Sequence, residues 1–566
     1  MSHYYAGDST VIWIVVISFI VAFVLAMGLG ANDVANSFGT SVGAGVLTLY
    51  QACVVAAIFE TAGAILLGYR VSDTIRKGIF DPLLYNGRDE LLLIGNLCAL
   101  SASGIWLFTA TILSVPVSAT HSIVGATLGF HMVVYGGVGV NWNTVVAIVI
   151  SWFVSPVLSG FISSCIYGLL YFSVIKRDDP LKWGIYTVPM WYFFLIFINF
   201  FSIFYGSSVL FGFDELWIVM VISIGGGLVV AGFGFFFIIP WIKKRVYKLK
   251  KQEKLEKAEE GHTQIDQEQE TELKGLPNGH NAGDAASLEK KNPDDPDAIL
   301  VPEPPMTNGI GNGMTSGMTN GMSTGMSNGM GNGAVPDYDR AIMVEMTVND
   351  EGEGNSDKWL VKKGSKEWDS VKDTTEVRAI CSPLQVVSAC FAAFSHGGND
   401  VSNAIGPLIS IWTIFTTGSV DQETLTPIWI LLYGGVGISL GLFLFGRRVI
   451  KTIGEDLTPM TPSSGFCVEL GSASTVLLAS NLGIPISTTH CQVGSVCGVG
   501  WLRTRKAVDW PLFSGIFFAW VVTLPATMML SSGLMGFLQH VVPGGCELVP
   551  IPLDNSTAMA TTLGLV

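Results

Sequence analysis

The chain has 566 residues, 49% of them hydrophobic and only 13% charged, with a mean hydropathy of +0.50. Soluble domains carry about 25% charged residues, so this composition excludes a soluble globular protein. The formal charge of −14 is a poor guide to partners and gives no reason to expect nucleic acid, because residues 241–380 alone hold 25 of the 45 acidic and 18 of the 31 basic side chains.

Apolar runs cover 11–29, 51–69, 91–113, 143–173, 189–212, 215–240, 428–446 and 511–536. Several exceed the roughly 18 residues that cross a bilayer as a helix. A β-barrel would instead show short alternating strands. The expected class is an all-α polytopic membrane protein. The first ten residues hold no Lys or Arg, so the first run reads as a retained span rather than a cleaved leader.

Basic residues after the 215–240 run (Lys243, Lys244, Arg245, Lys248, Lys250, Lys251) mark that end as cytoplasmic. Counting back gives seven spans, one of them at 115–136 in addition to the six runs above, and the odd number places the N-terminus outside. Five more follow, at about 383–415, 428–446, 463–481, 485–500 and 511–536, and leave the C-terminus outside. Arg447, Arg448, Lys451, Arg503, Arg505 and Lys506 all fall inside. The expectation is about 12 transmembrane helices, with the short segments at 115–136 and 485–500 as candidate re-entrant hairpins. The sequon Asn555-Ser556-Thr557 lies in the outer tail, which makes the chain a candidate glycoprotein.

Three regions follow: a membrane half over 1–247, a cytoplasmic loop over 248–375 and a second membrane half over 376–566. The loop contains charge-rich stretches and a degenerate Met repeat around Met314, Met318 and Met322. Such composition cannot bury a core and is expected to be mostly disordered. The Lys-rich stretch 243–257 is expected to continue the preceding helix along the inner leaflet. The nine cysteines show neither metal-ligand spacing nor a disulfide framework.

Two polar motifs recur within these apolar runs. Gly30-Ala31-Asn32-Asp33-Val34-Ala35-Asn36-Ser37 matches Gly397-Gly398-Asn399-Asp400-Val401-Ser402-Asn403-Ala404. Pro116-Val117-Ser118-Ala119-Thr120-His121 lies 84 residues after Asn32, and Pro485-Ile486-Ser487-Thr488-Thr489-His490 lies 86 after Asn399. The span parity makes the two copies inverted, the arrangement that lets a central site open alternately to each side.

Carboxylates and amides at membrane depth are costly unless they face a cavity or an ion. Asn32, Asp33 and Asn36, with Asn399, Asp400 and Asn403, are candidate oxygen ligands for a hard cation such as sodium. Flanking Gly28, Gly30, Gly397 and Gly398 permit helix breaks that would free carbonyls. The competing reading is a capping pair that joins helices. In the second motif, proline opens a helix whose N-terminal amides form an anion site. Ser118, Thr120, Ser487, Thr488 and Thr489 are candidate donors to a tetrahedral oxyanion, against ordinary bonding back to helix carbonyls. His121 and His490 are supporting or proton-sensitive residues. Glu60 and Glu469 interrupt apolar spans and are candidates for ion or proton coupling.

These motifs resemble those of the inorganic phosphate transporter (PiT) family, in particular its eukaryotic sodium-dependent members. The likeness extends to Ile405-Gly406-Pro407-Leu408, to residues 457–466 and to Arg503-Thr504-Arg505-Lys506-Ala507-Val508-Asp509-Trp510. It covers roughly 11–247 and 376–540. The resemblance implies sodium-coupled uptake of phosphate, preferably as the monovalent anion, by a plasma-membrane protein with both termini extracellular. It also implies transport roles for Glu60 and Glu469. Vertebrate members carry a carboxylate where this chain has Asn96, and the outer loop around Asn86 lacks a sequon here.

The expected partners are phosphate, sodium as coupling ion and the lipid bilayer, with no cofactor. A homo-oligomer is compatible with the sequence, and the loop's partners are open. The alternatives are proton coupling or another oxyanion on the same fold, and a phosphate sensor or cell-surface interaction protein. An enzyme is not expected: no Gly-x-x-x-x-Gly-Lys-Ser/Thr loop is present.

Overall fold

The computed structural model describes residues 9–206, 215–252, 255, 372–451, 457–505 and 507–541, without the side chains of 9, 10, 35, 36, 448, 451 and 541. The Met repeat, most of the central loop, Lys506 and the Asn555 sequon lie outside these residues.

Thirteen helices of nine residues or more carry the described chain. They are α1 (Ser9–Leu29), α2 (Ala35–Gly43), α3 (Leu49–Asp73), α4 (Asp89–Ile112), α5 (Ala119–Tyr135), α6 (Trp142–Leu170) and α7 (Pro180–Gly206). After them come α8 (Leu216–Phe233), α9 (Thr375–Thr417), α10 (Ile428–Phe445), α11 (Pro462–Asn481), α12 (Thr488–Arg503) and α13 (Trp510–Leu538). Local chemistry sets several ends. Thr48 and Thr461 close capping boxes, Asn141 and Asp509 accept from helix amides, and Gly418 ends α9 in the left-handed conformation at φ 64°.

Nine segments among the described residues are long and apolar enough to cross a membrane. The expected spans without such a helix are α5, α11 and α12. The first and last have 17 and 16 residues, and α11 carries Ser463, Ser464, Glu469, Ser472 and Ser474. These three are almost wholly buried inside the protein, so their polar groups are matched by other helices instead of lipid. Two expected boundaries also move. Helix α7 starts at Pro180 and runs through Pro189, and α9 starts at Thr375 and runs through Pro383 and Pro407.

The packing pairs come in matched sets. Helix α3 packs on α9, and α10 on α1; α4 packs on α1, and α11 on α9. Likewise α5 packs on α13, and α12 on α6. Helices α7 and α8 pack against each other and have no counterparts among the described residues of the second half. Large apolar side chains on α6, α8 and α13, among them Phe153, Phe161, Leu228, Phe233 and Phe518, point outward, as a lipid-facing surface requires.

The two copies of the first motif differ in backbone. Gly30–Val34 forms a π-helical turn between α1 and α2, whereas Gly397 and Gly398 lie inside the unbroken helix α9. The expected break at the second pair is therefore corrected. Those glycines serve packing: a Cβ at Gly397 would overlap the carbonyl of Glu60, and one at Gly63 the carbonyl of Phe394. Helices α3 and α9 touch backbone to backbone there.

Candidate functional site

The second motif forms a return segment in each half. After α4 the chain leaves the helix at residues 113–118, and after α11 at residues 482–487, before α5 and α12 begin. Ser114 and Gly483 hold equivalent places and both are left-handed, at φ 59° and 69°. Ser114 is the one non-glycine with positive φ among the described residues. A left-handed L-residue costs roughly 1–2 kcal/mol, so Ser114→Gly should stabilise the protein by up to about 1 kcal/mol, read as a raised melting temperature in detergent.

Each return segment ends at a capped helix. Ser118 Oγ accepts from the His121 amide at 3.3 Å, and Ser487 Oγ from the His490 amide at 3.2 Å. The two caps cross-link. Thr120 donates to the Ile486 carbonyl at 3.0 Å, while Thr489 donates to Val117 O at 3.2 Å. The N-termini of α5 and α12 thus meet, with their positive dipole ends in one place.

The amides of the first motif hold these return segments. Asn32 Nδ2 donates to Val115 O at 3.1 Å and its Oδ1 accepts from the Val117 amide at 3.0 Å. Asn399 Nδ2 donates to Ile486 O at 2.8 Å, and its Oδ1 accepts from Ser480 at 3.4 Å. Both side chains are thereby committed to positioning the loops. Arg70 at the end of α3 donates to Asn481 O at 2.6 Å, and Thr74, just after α3, donates to Gly483 O at 2.7 Å, which braces the second return.

The carboxylates join the same network. Asp33 Oδ1 accepts from Thr489 at 3.0 Å, and its Oδ2 is buried without a partner among the described residues. Asp400 accepts from Asn403 at 2.8 Å and from Thr488. Asn403 Nδ2 also reaches Thr120 Oγ at 3.3 Å, and its Oδ1 has no partner among the described residues. Glu60 places Oε2 2.8 Å from His396 Nδ1, while His396 Nε2 lies 3.0 Å from Asp400 Oδ2. Oε1 of Glu60 is likewise without a partner among those residues. The side chain of Asn36 lies outside the described set.

Glu469 has a different set of neighbours. It accepts from Thr40 at 2.7 Å and Ser41 at 2.5 Å on α2, and from Gln385 at 3.2 Å and Ser388 at 2.5 Å on α9. Four donors from two other helices make this carboxylate a junction between α2, α9 and α11. Asn96 donates to Leu92 O at 2.8 Å and Ser410 Oγ at 3.2 Å, which are ordinary buried bonds.

The motif histidines form a crossed clasp. His121 Nδ1 lies 3.2 Å from Trp520 O and stacks on Trp152 at 3.6 Å; His490 Nδ1 lies 2.9 Å from Trp152 O and stacks on Trp520 at 3.8 Å. A carbonyl only accepts, so Nδ1 carries the hydrogen in both rings. Proline accounts for one of these acceptors: Pro156 stands four residues after Trp152 and supplies no amide to its carbonyl.

Sequence reading missed His396, Thr40, Ser41, Gln385, Ser388, Trp152 and Trp520. A histidine one turn before Asp400 in an apolar run was a usable signal for the first. The others are single Ser, Thr, Gln and Trp residues without a shared spacing. In sum, Asp33, Asp400, Asn403, Glu60, Thr120, Thr488 and Thr489 belong to one connected network. Ser118 and Ser487 cap it, and Glu469 stands apart.

Cations take oxygen ligands, and Asp33 Oδ2, Asn403 Oδ1 and Glu60 Oε1 are buried oxygens without partners among the described residues. An anion needs amide donors, which the facing helix ends suit. The chain also matches known proteins. The model of the "Phosphate transporter family" matches residues 29–531. The sodium-dependent phosphate transporter 2 of Xenopus tropicalis is 38% identical, over 94% of this chain and 98% of that protein. The sodium-dependent phosphate transporter 1 of Rattus norvegicus is 37% identical, over 94% and 96%. A solved structure titled "The sodium-dependent phosphate transporter" superposes with a TM-score of 0.66 at 30% identity, covering 94% of this chain and 100% of that one. With relatives matched along nearly their whole lengths and the paired helix ends built from its own repeats, this multi-pass membrane protein belongs to the phosphate transporter family.

Proposed function

We propose that the protein is a sodium-coupled symporter that carries inorganic phosphate by alternating access. The observation that supports this most is the crossing of the two capped helix ends, Thr120 to Ile486 and Thr489 to Val117, beside the buried carboxylates Asp33 and Asp400. Sodium at the carboxylate oxygens lowers the electrostatic cost of an anion at mid-membrane. Phosphate is then held between the amides of α5 and α12, with hydroxyls of Ser118, Thr120, Ser487, Thr488 and Thr489 at the rim. The matched packing pairs favour two inverted repeats, the first in 1–247 and the second in 376–566, around a cytoplasmic loop over 248–375. Twelve crossings, outward termini and a plasma-membrane location complete the reading.

Uptake of radiolabelled phosphate into liposomes, with an inward sodium gradient or with choline in place of sodium, tests it. Uptake unchanged by choline would overturn sodium coupling. Proton coupling is the second reading, favoured by His396, whose two nitrogens face Glu60 and Asp400; it expects uptake to follow an inward proton gradient.

Thr489→Val removes a hydroxyl whose one hydrogen lies within reach of both Asp33 and Val117 O. A buried acceptor left unmet costs about 1–3 kcal/mol. The expected outcome is a phosphate KM raised about tenfold or more in the liposome assay. Thr120→Val, which loosens the reciprocal bond, should raise it in the same direction by less.

A further inference from the structure

Helix α8 does not stop where a bilayer would. After a π-helical turn at Gly234–Ile238 it continues to Gln252, so the whole segment Leu216–Gln252 has 37 residues. At 1.5 Å per residue that is about 55 Å, against about 30 Å of hydrocarbon. The extension is two-faced. Ile242 and Val246 are buried in the same apolar cluster as Val174 and Leu170, with Leu249 packed against it. Lys243, Lys244, Arg245, Lys248 and Lys251 are exposed.

A second basic group lies at the same level. Phe200 lies against Gly226, Phe193 against Gly227 and Tyr192 against Gly234, so α7 and α8 run antiparallel. Leu181 and Ile185, on either side of Lys182 in α7, pack against the same apolar cluster as Ile242 and Val246, which brings Lys182 to the level of the extension. Lys176 and Arg177 precede α7 by a short turn and are exposed. Aromatic rings orient three of these cations. Arg245 lies 5.0 Å from the Trp241 ring, Arg177 4.7 Å from Trp183 and Lys176 5.7 Å from Phe172. Trp183, Tyr186, Trp241 and Tyr247 are themselves exposed, as in an interfacial aromatic belt. The acidic residues here are Asp178 and Asp179, and Asp179 caps the Lys182 amide at 3.0 Å. On the far side of the extension Lys250 is paired with Glu376 at 2.5 Å.

We propose that Lys176, Arg177, Lys182, Lys243, Lys244 and Lys248 form a binding site for the headgroup of a polyphosphorylated inositol lipid at this membrane face. A single anionic lipid offers about one charge, whereas these six cations set against two carboxylates match a headgroup of several phosphates. The exposed rings supply the interfacial contact that keeps such a ligand in the membrane plane.

The test uses the full chain in phosphatidylcholine nanodiscs with a fluorescent short-chain phosphatidylinositol 4,5-bisphosphate, read by anisotropy. K243Q/K244Q/K248Q should weaken binding at least tenfold, and R177Q/K182Q should do so independently. Lys77→Gln, which lies beside Asp73 and Glu423 away from the basic cluster, should leave binding unchanged. Both multiple variants replace exposed side chains, and retained phosphate uptake would certify their fold. Undiminished binding in both would overturn the site. Equal displacement by phosphatidylserine would overturn the polyphosphate assignment, and equal displacement by soluble inositol trisphosphate the membrane source.

Discussion

Asp400→Asn should reduce phosphate uptake at least a hundredfold while the protein still reaches the membrane. The carboxylate accepts from Asn403 and Thr488 and lies 3.0 Å from His396 Nε2. An amide turns one of its two oxygens into a donor, so at least one of these groups faces another donor. A buried donor left unmet costs about 1–3 kcal/mol, with charged groups at the upper end, and each 1.4 kcal/mol is a factor of ten. The missing charge adds to this by removing the attraction for a cation. Asp33→Asn differs in kind. Its Oδ2 lacks a partner among the described residues, so the amide disturbs packing less and the loss falls on the cation. Its expected signature is a higher sodium requirement with a smaller fall in maximal rate. Uptake at varied sodium, normalised to surface-labelled protein, separates the two; wild-type sodium curves for both variants would remove Asp33 and Asp400 from the coupling site.

Gly397→Leu should prevent correct assembly of the two halves. A Cβ at this position would overlap the Glu60 carbonyl, and one at Gly63 the Phe394 carbonyl. The obstacle is backbone on both sides, so no rotamer change relieves it, and α3 and α9 have to separate. Overpacking of a core costs about 1–3 kcal/mol even where side chains can shift, and here the contact also sets the 2.8 Å approach of His396 to Glu60. The expected result is loss of the monodisperse peak in size-exclusion chromatography, with uptake near background. Gly397→Ala should show the same defect in milder form. Gly536→Leu is the control, because a Cβ there meets nothing within 4 Å; a wild-type profile for Gly397→Leu would mean that α3 and α9 are not in backbone contact.

Much of the site was legible in the sequence because membrane burial makes polar residues conspicuous. Asp33, Glu60, Asp400 and Glu469 stand out where a charge at depth is costly, and the duplicated Asn-Asp and Pro-Ser-x-Thr-His motifs identify equivalent positions in two halves. Ser118 and Ser487 were legible as starts of helices, since proline and serine before an apolar run mark an N-terminus. Their caps on His121 and His490 agree with that reading.

Other features are products of long-range contact. Equal motifs take unequal backbones, a π turn at Gly30–Val34 and a straight helix at Gly397, because neighbours choose between conformations that local propensity leaves close in energy. The pairing of Glu60 with His396, 336 residues apart, and the four donors around Glu469 depend on which helices meet. Trp152 and Trp520 carry no motif in the sequence, and only the approach of α6 and α13 to the motif histidines gives them a place in the site. What the sequence by itself determined is the membrane class, the duplication and the polar residues that cannot face lipid, all consequences of the solvent. The partners of those residues, and the separation of Glu469 from the Asp33–Asp400 network, were decided by tertiary packing, because hydrogen bonds between helices depend on distances that no local spacing records.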